Sequence, residues 1–491
     1  MADQGLALTF DDVRLKTGYS KVPLEEIKLG SMFSRHVGLN IPIASAAMDT
    51  VTEYEMAIEI AKLGGIGVLH RNLSPKEQTT QMKRVKFHLN ALTERPITVE
   101  ENETLQSVER RRQAKNYSFH SFPVLNEDRR LVGLLTRNDF DFCADHSFLV
   151  REVMTTELIT APDGTTLDEA YEMMTRGKKK ILPLVDREHR LAGMYVFSDV
   201  ARIKLGSSSI YNLDGAGHLR VGAAVGVDDD ALERIELLGR LVDAIVIDTA
   251  HGDSEPVLRT LRSIKKMNFS FDVVVGNVSE GGSAKRLVDN GADCVKVGQG
   301  PGSICTTRLI AGIGCPQVTA IYNCAKAIEG SGVPICADGG IRYSGDISIA
   351  IGAGAHSVML GRVLAGTKQA PGEMIMHQGA PTKVYRGMGS LAAMEAHRAS
   401  RARYGQHDPR REKIIPEGVE TKIPFQGELT DVLHQYTGGL RSGMGYVGAA
   451  TIEELQGKAD FYRISNAGIN ESHPHDVTMI ADTPNYRKDG P

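Results

Sequence analysis

Eight short, nearly continuous apolar runs punctuate the chain, most ending on glycine or a polar residue and most followed by a helical pattern. They are IPIASAA (41–47), IGVLH (66–70), RVGAAVG (220–226), AIVIDTA (244–250), DVVVGNV (272–278), CVKVG (294–298), PICADGG (334–340) and SVMLG (357–361). Runs this short, without polar alternation, predict strands buried on both faces of a parallel sheet. Eight such units predict an α/β fold, a (β/α)₈ TIM barrel, whose site lies at the carboxyl ends of the strands. A doubly wound open sheet is the alternative, and the eightfold count disfavours it. Asp248 lies near the end of the fourth run with His251 just after it, Asn277 and Asp338 lie near the ends of the fifth and seventh, and Cys305 follows the sixth.

About 150 residues separate the second run from the third, far more than one crossover helix needs. That gap holds a repeat: FPVLNEDRRLVGLLTRNDF (122–140) aligns with LPLVDREHRLAGMYVFSDV (182–200) at a constant offset of 60 residues. Upstream, ITVEENETL (97–105) matches ITAPDGTTL (159–167) with a two-residue length difference. Each copy reads strand, helix, strand, turn, strand, helix. The pattern is similar to a tandem pair of cystathionine-β-synthase-type (CBS) domains inserted into the barrel, about 92–148 and 149–208. The barrel would then comprise 1–91 and 209–491. Asp139 and Asp199 fall where such domains often hold a nucleotide ribose; on residue type alone both read as helix N-caps. The second copy has Val196 where the first has Thr136.

Composition narrows the class. The net charge of −4 gives no basic excess for nucleic acid, and nowhere do roughly 18 apolar residues run unbroken to span a membrane. MADQGLALTF predicts no signal peptide, and NYRKDGP carries no peroxisomal tripeptide. Six cysteines without zinc-type pairs or regular spacing predict free thiols in a reducing cytoplasm.

GQGPGSICTTR (298–308) places Cys305 on a glycine-rich loop after a barrel strand, whereas Cys294, Cys324 and Cys336 read as buried small hydrophobes. A thiolate is the reactive form, and backbone donors with a nearby cation favour it, so Cys305 reads as a nucleophile. ADGGIR (337–342) and MLGRVLAG (359–366) close strands seven and eight, where such barrels commonly bind phosphate through backbone N–H groups. Glycine pairs also make plain turns, but their occurrence at both positions favours phosphate, with Asp338 free for a ribose diol. KVYRGMGS (383–390) adds Tyr385 as a phosphate donor, and IDTAHG (247–252) offers Asp248 to a second nucleotide. No Rossmann-type glycine motif is present, so a nicotinamide cofactor would bind outside that fold. RARYGQ (401–406) and IIPEGVE (414–420) lie in a segment poor in apolar residues, a solvated loop or a mobile lid over about 391–425. NESHPHD (470–476) matches no zinc template and reads as a loop.

Together LTFDDV, AAMDTVTE, GGIG, GPGSICTTR, PQVTAI, ADGGIR, SGDI, YRGMGS, GGLRSGMGY and ESHPHDV resemble the inosine-5′-monophosphate dehydrogenase family over essentially the whole chain. The resemblance implies that Cys305 attacks carbon 2 of the IMP base, that NAD⁺ takes the hydride, and that water releases XMP, the committed step of guanine nucleotide synthesis. It implies Ser303, Gly340, Gly361 and Tyr385 at the phosphate, Asp338 at the ribose, and Gly387, Met388, Gly389 and Glu417 at the substrate base. Asp248, Ala250, Asn277 and Gly298 would face NAD⁺. Thr307, Arg403, Tyr404 and Glu417 would activate the water. Carbonyls of Gly300, Gly302 and Cys305, completed by Glu471, Ser472 and His473 of a neighbouring copy, would bind a monovalent cation, with K⁺ expected. That shared site implies a homotetramer, with an octamer as the larger alternative, and ATP or GTP at the CBS pair. Arg362 departs from the pattern, which has a small residue beside the phosphate.

The rival within the family is GMP reductase, which shares the thioimidate but not the Arg-Tyr pair of the lid. A rival of another class is a nucleotide-sensing regulatory protein over an inactive barrel; Cys305, Thr307, Arg403 and Tyr404 argue against it.

Overall fold

The computed structural model describes residues 5–89, 92–93, 95–115, 117, 119–205, 210–227, 230–478, 480 and 483–486. The expected insert ends at 91 and at 208–209, and the extreme chain ends, lie outside them. The chain divides into two compact units, one joining Met1–His88 to Ile210–Pro491 and the other running Leu89–Ser209.

In the first unit each of the eight apolar runs contains one strand: β1 (Ile43–Ser45), β2 (Ile66–Leu69), β3 (Val221–Val225), β4 (Ala244–Asp248), β5 (Asp272–Val278), β6 (Cys294–Val297), β7 (Ile335–Asp338) and β8 (Ser357–Leu360). They close into a parallel barrel, β2 pairing with β3 across the inserted sequence and β8 with β1. Most of the strands are shorter at the carboxyl end than the runs that predict them. The reason is local: Ala46, Ala47, Ala250, Gly298, Gly340 and Gly361 leave the ladder and turn into the mouth, where they line a cavity. Strand residues are almost wholly buried, as a sheet covered on both faces requires.

The outer helices follow the amphipathic pattern. Glu255–Lys266 buries Val257, Leu258, Leu261 and Ile264 in one stripe, and Pro75–Lys86 begins with Ser74 accepting from the Glu77 amide under a proline first turn. A long helix, Leu429–Val447, lies against Ser344–Gly352, behind the seventh loop. Gly439 and Gly443 permit that approach: a Cβ there would stand 2.1 Å from Ser344 Oγ and 2.5 Å from Ser348 Oγ. The Tyr436 hydroxyl on the same helix donates to the Arg342 carbonyl at 2.6 Å and so fixes the phosphate-side loop.

The second unit carries the repeat down to its irregularities. Strand Phe122–Leu125 pairs antiparallel with Leu131–Leu135, and Ile181–Val185 with Leu191–Val196. Phe122 faces Leu135 as Leu182 faces Tyr195, and both hairpins shift register at equivalent places, Val124/Leu125 and Leu184/Val185. Thr104 and Thr166 cap the paired helices. Each copy has its own core, one around Phe122, Leu135 and Phe140, the other around Leu182, Tyr195 and Met174. The N-cap expectation for Asp139 is corrected: Thr136 is the cap, and Asp139, three residues on, accepts from its amide at 2.6 Å and its hydroxyl at 2.9 Å. Asp199 likewise stands inside the first turn of Phe197–Leu205 rather than at its cap. Among the described residues no helix is long and apolar enough to cross a membrane.

Because the barrel closes on its own pairings and the insert holds separate cores, replacing residues 92–208 with a short Gly/Ser linker should leave a barrel that melts cooperatively by far-ultraviolet circular dichroism. Loss of the cooperative transition would show that the barrel needs the insert to fold.

Candidate active site

The ends of six strands, β1 and β4 to β8, with the loops that follow them, enclose a cavity of about 390 Å³ at the carboxyl end of the barrel. Its centre is the loop after β6. Gly298 and Gly300 take positive φ, +149° and +77°, so the chain can turn sharply out of the strand. At Gly298 a side chain is also excluded, since a Cβ would stand 2.1 Å from the Asp338 carbonyl oxygen. Arg308 ties the loop down, donating to the carbonyls of Gln299 at 3.0 Å and Cys315 at 2.6 Å. Cys305, part-exposed at the cavity wall, donates its thiol hydrogen to Thr307 Oγ1 at 3.1 Å. Cys294, Cys324 and Cys336 are buried as expected, and burial pushes the Cys336 thiol up to about 12.

Beside the thiol lies a buried polar knot. Lys296 of β6 is 2 % exposed and pairs with Asp248 of β4 at 3.0 Å and Asp338 of β7 at 2.5 Å. It also bonds Asn277, whose amide donates to Asp338 at 2.9 Å and to the Gly298 carbonyl at 2.6 Å. Two carboxylates and an ammonium out of water hold only when mutually paired and hydrogen-bonded. Lys296 was not among the residues expected in the site. Its signal in the sequence is a lysine between valines in an otherwise apolar strand.

The segment expected as a lid contains regular structure. It contains helices Leu391–Ala396 and Arg398–Arg403 and the strand Glu420–Pro424, which pairs with Ala380–Arg386. Glu417 and its neighbours lie along the cysteine loop: the Thr306 amide donates to the Glu417 carbonyl at 3.0 Å, and the Val419 amide to Ile304 at 2.9 Å. Arg403 reaches into the cavity and pairs with Asp248, while its carbonyl accepts from the Ala250 amide at 3.2 Å. Burial works against the charge on Arg403, and the Tyr404 hydroxyl works for it. Tyr404, also in the wall, has its hydroxyl pushed up by burial.

On the opposite side Ser303, Gly340, Gly361 and Tyr385 share one end of the cavity. Tyr385 is buried and bonded to Ser303, and burial raises its hydroxyl. Gly361 leaves room for that hydroxyl, because a Cβ there would stand 2.8 Å from it. Gly387 and Met388 also line the cavity, and Met388 Sδ is 3.8 Å from the Asn72 amide. That amide donates to Asp49, which pairs with Arg386 at 2.7 Å and is held below the usual carboxylate range despite burial.

Gly389 and His251 are not in the cavity wall, and Glu471, Ser472 and His473, expected to complete the site of a neighbouring copy, lie outside this chain's own cavity. A Cβ at Gly389 would meet the Tyr404 ring at 2.6 Å, so this glycine underlies the tyrosine and does not face the cavity. Glu471 ends a short helix, Asn466–Glu471, which corrects the loop expected for the start of NESHPHD. Ser472 donates to the Gly468 carbonyl at 2.7 Å, and the His473 ring packs near Tyr343 and Tyr486. His251 is exposed and lies 3.2 Å from the Gln299 amide. Among the described residues no cluster of three His, Cys, Asp or Glu could hold a metal.

The sequence profile of the IMP dehydrogenase / GMP reductase domain matches residues 7–475. The inosine-5′-monophosphate dehydrogenase of Aquifex aeolicus is 49% identical over 483 residues, covering 98% of this chain and 97% of its own. That of Bacillus subtilis is 44% identical over 484 residues, covering 98% and 97%. A Cys-to-Ala variant of GMP reductase from Trypanosoma brucei, solved with guanosine 5′-monophosphate, superposes with a TM-score of 0.88 at 37% identity, covering 97% of this chain and 99% of its own.

Removing Lys296 alone should leave Asp338 without a cation and Asp248 with Arg403 only: Lys296→Met should destabilise the barrel by about 3–5 kcal/mol in urea unfolding. Adding Asp248→Asn and Asp338→Asn should restore much of that loss. A single variant as stable as the parent would show that the knot is not holding the strand ends together.

Proposed function

Since the chain belongs to the IMP dehydrogenase / GMP reductase family, an oxidoreductase family, we propose that it oxidises IMP to XMP with NAD⁺ through a covalent bond to Cys305. The observation that carries this reading is the Arg403–Tyr404 pair seated beside Cys305 and over Asp248. A hydrolytic second step needs a group to activate water in the space that the dinucleotide leaves, and these two side chains occupy such a space.

Cys305 loses its thiol proton to solvent and the thiolate Sγ adds to carbon 2 of the hypoxanthine ring, while the Thr307 hydroxyl, which accepts from the thiol, turns to donate to the sulfur. NAD⁺, held on the Asp248 side, would supply the acceptor for the hydride that leaves carbon 2. Its fit rests on Asp248, Ala250, Asn277 and Gly298, all in the cavity wall. Arg403 bonds two of those same residues, Asp248 and Ala250, so lid and dinucleotide are alternative occupants of one space. With the lid seated, water attacks the thioimidate, Arg403 and Tyr404 hold it, Arg403 takes its proton when in the neutral form that burial favours, and Glu417 offers a second proton route. The sulfur leaves as thiolate, and XMP carries the oxygen from water. Ser303, Gly340, Gly361 and Tyr385 hold the phosphate, Asp338 the ribose, and Gly387 and Met388 the base.

For the cation we assign the carbonyls of Gly300, Gly302 and Cys305, three hard oxygen donors in a turn closed by the Cys305 amide on Gly302 at 3.0 Å. Three donors from one chain leave K⁺ undercoordinated, which supports completion by Glu471, Ser472 and His473 of a neighbouring copy in a homotetramer. We read the Leu89–Ser209 unit as the CBS pair, with Asp139 and Asp199 toward purine nucleotides such as ATP or GTP.

The second reading, GMP reduction, is favoured by the likeness to the Trypanosoma brucei structure. Absorbance at 340 nm separates the two. NADH should form from IMP and NAD⁺, and NADPH should persist with GMP; the reverse would establish the reductase. Cys305→Ala should abolish turnover yet retain IMP. Arg403→Ala should keep a first burst of NADH, stoichiometric with active sites, and slow the steady state by about 10²–10⁴-fold. Loss of the burst itself would place Arg403 in binding or hydride transfer.

A further inference from the structure

Four arginines line the cavity: Arg308, Arg342, Arg362 and Arg403. Three are engaged within the chain. Arg308 bonds two loop carbonyls, Arg342 pairs with Asp11, and Arg403 pairs with Asp248. Arg362 is the exception: among the described residues no carboxylate stands within ion-pair distance of it, and no hydrogen-bond acceptor is found for its guanidinium. It directly follows Gly361 at the end of β8 and is half-buried. Its neighbours are the phenol groups of Tyr343, Tyr385 and Tyr436 and a second guanidinium, Arg342. Burial and Arg342 both work against its charge, whereas Asp11 supports that of Arg342.

A half-buried cation with no counter-charge is costly unless a ligand brings one. The neighbouring groups are those that would complete an anion's shell: the Ser303 and Tyr385 hydroxyls and the glycine turns at 340 and 361. A planar guanidinium grips a phosphate through two parallel N–H···O bonds, stronger than neutral donors make. We propose that Arg362 is a further substrate-binding residue, an ionic clasp on the 5′-phosphate that makes this site discriminate nucleotide from nucleoside. The proposal rests on the reading of the substrate as a nucleoside 5′-monophosphate. It extends that reading, because a site closed only by backbone amides and hydroxyls would leave the phosphate's charge without a directly opposed cation.

The test uses the full chain carrying Cys305→Ala, so that binding is read without turnover, and titrates IMP, inosine and ribose 5-phosphate by calorimetry. Adding Arg362→Ala should weaken IMP and ribose 5-phosphate by about 10- to 100-fold and leave inosine unchanged, which also shows that the variant is folded. Arg362→Lys should fall between, since a point charge replaces a fork. Raising the salt concentration should narrow the gap between parent and Arg362→Ala. Equal IMP affinity with and without Arg362, or an equal loss for inosine, would overturn the clasp. Ribose 5-phosphate separates the two claims: if it binds in an Arg362-dependent way while IMP does not bind the parent, the clasp stands and the substrate reading falls.

Discussion

The buried contact of Lys296 with Asp248 and Asp338 is the constraint on which the site depends. One ammonium, on β6, draws together the carboxyl ends of β4 and β7, with Asn277 of β5 bridging beneath. Gly276 admits it, because a Cβ there would stand 2.6 Å from Lys296 Cβ. The chain leaves β6 at Gly298, whose carbonyl is held by Asn277, so the loop presenting Cys305 starts from a fixed point. Charge balance follows the same geometry. Asp248 receives Lys296 from inside the barrel and Arg403 from the lid, and the lid's seat is therefore written into the barrel's own electrostatics.

This arrangement gives the reaction its order under the proposed function. A dinucleotide and Arg403 compete for Asp248 and Ala250, so the group that activates water arrives only as the oxidant departs. The cysteine loop is common to both halves, clamped by Arg308 on one side and laid along Glu417–Val419 on the other. The Leu89–Ser209 unit keeps its own two cores and interrupts the chain between β2 and β3, a place where the barrel closes without it.

The barrel was legible because strands buried on both faces leave uninterrupted apolar runs, and all eight strands lie within those runs. Their carboxyl ends were overestimated, since small residues such as Ala250 and Gly361 continue an apolar pattern while serving as cavity wall. The cysteine loop was visible in its glycines. Lys296 was not, because a single charge inside a strand acquires meaning only when two other strands bring carboxylates to it. Nor was the steric role of Gly389 visible: a Cβ there would meet the Tyr404 ring, a relation set by how Tyr404 packs back on that turn. Asp139 and Asp199 both fall inside the first turn of their helices and not at the cap; in the first copy Thr136 takes the cap position, whereas the second has Val196 there.

The central claim is that the covalent intermediate on Cys305 is released by water. Turnover of IMP with NAD⁺ in oxygen-18-labelled water, followed by mass spectrometry of the nucleotide, tests it directly. The account predicts XMP carrying one labelled oxygen at carbon 2 of the base. Unlabelled XMP, or a chain that turns over GMP and not IMP, would contradict it.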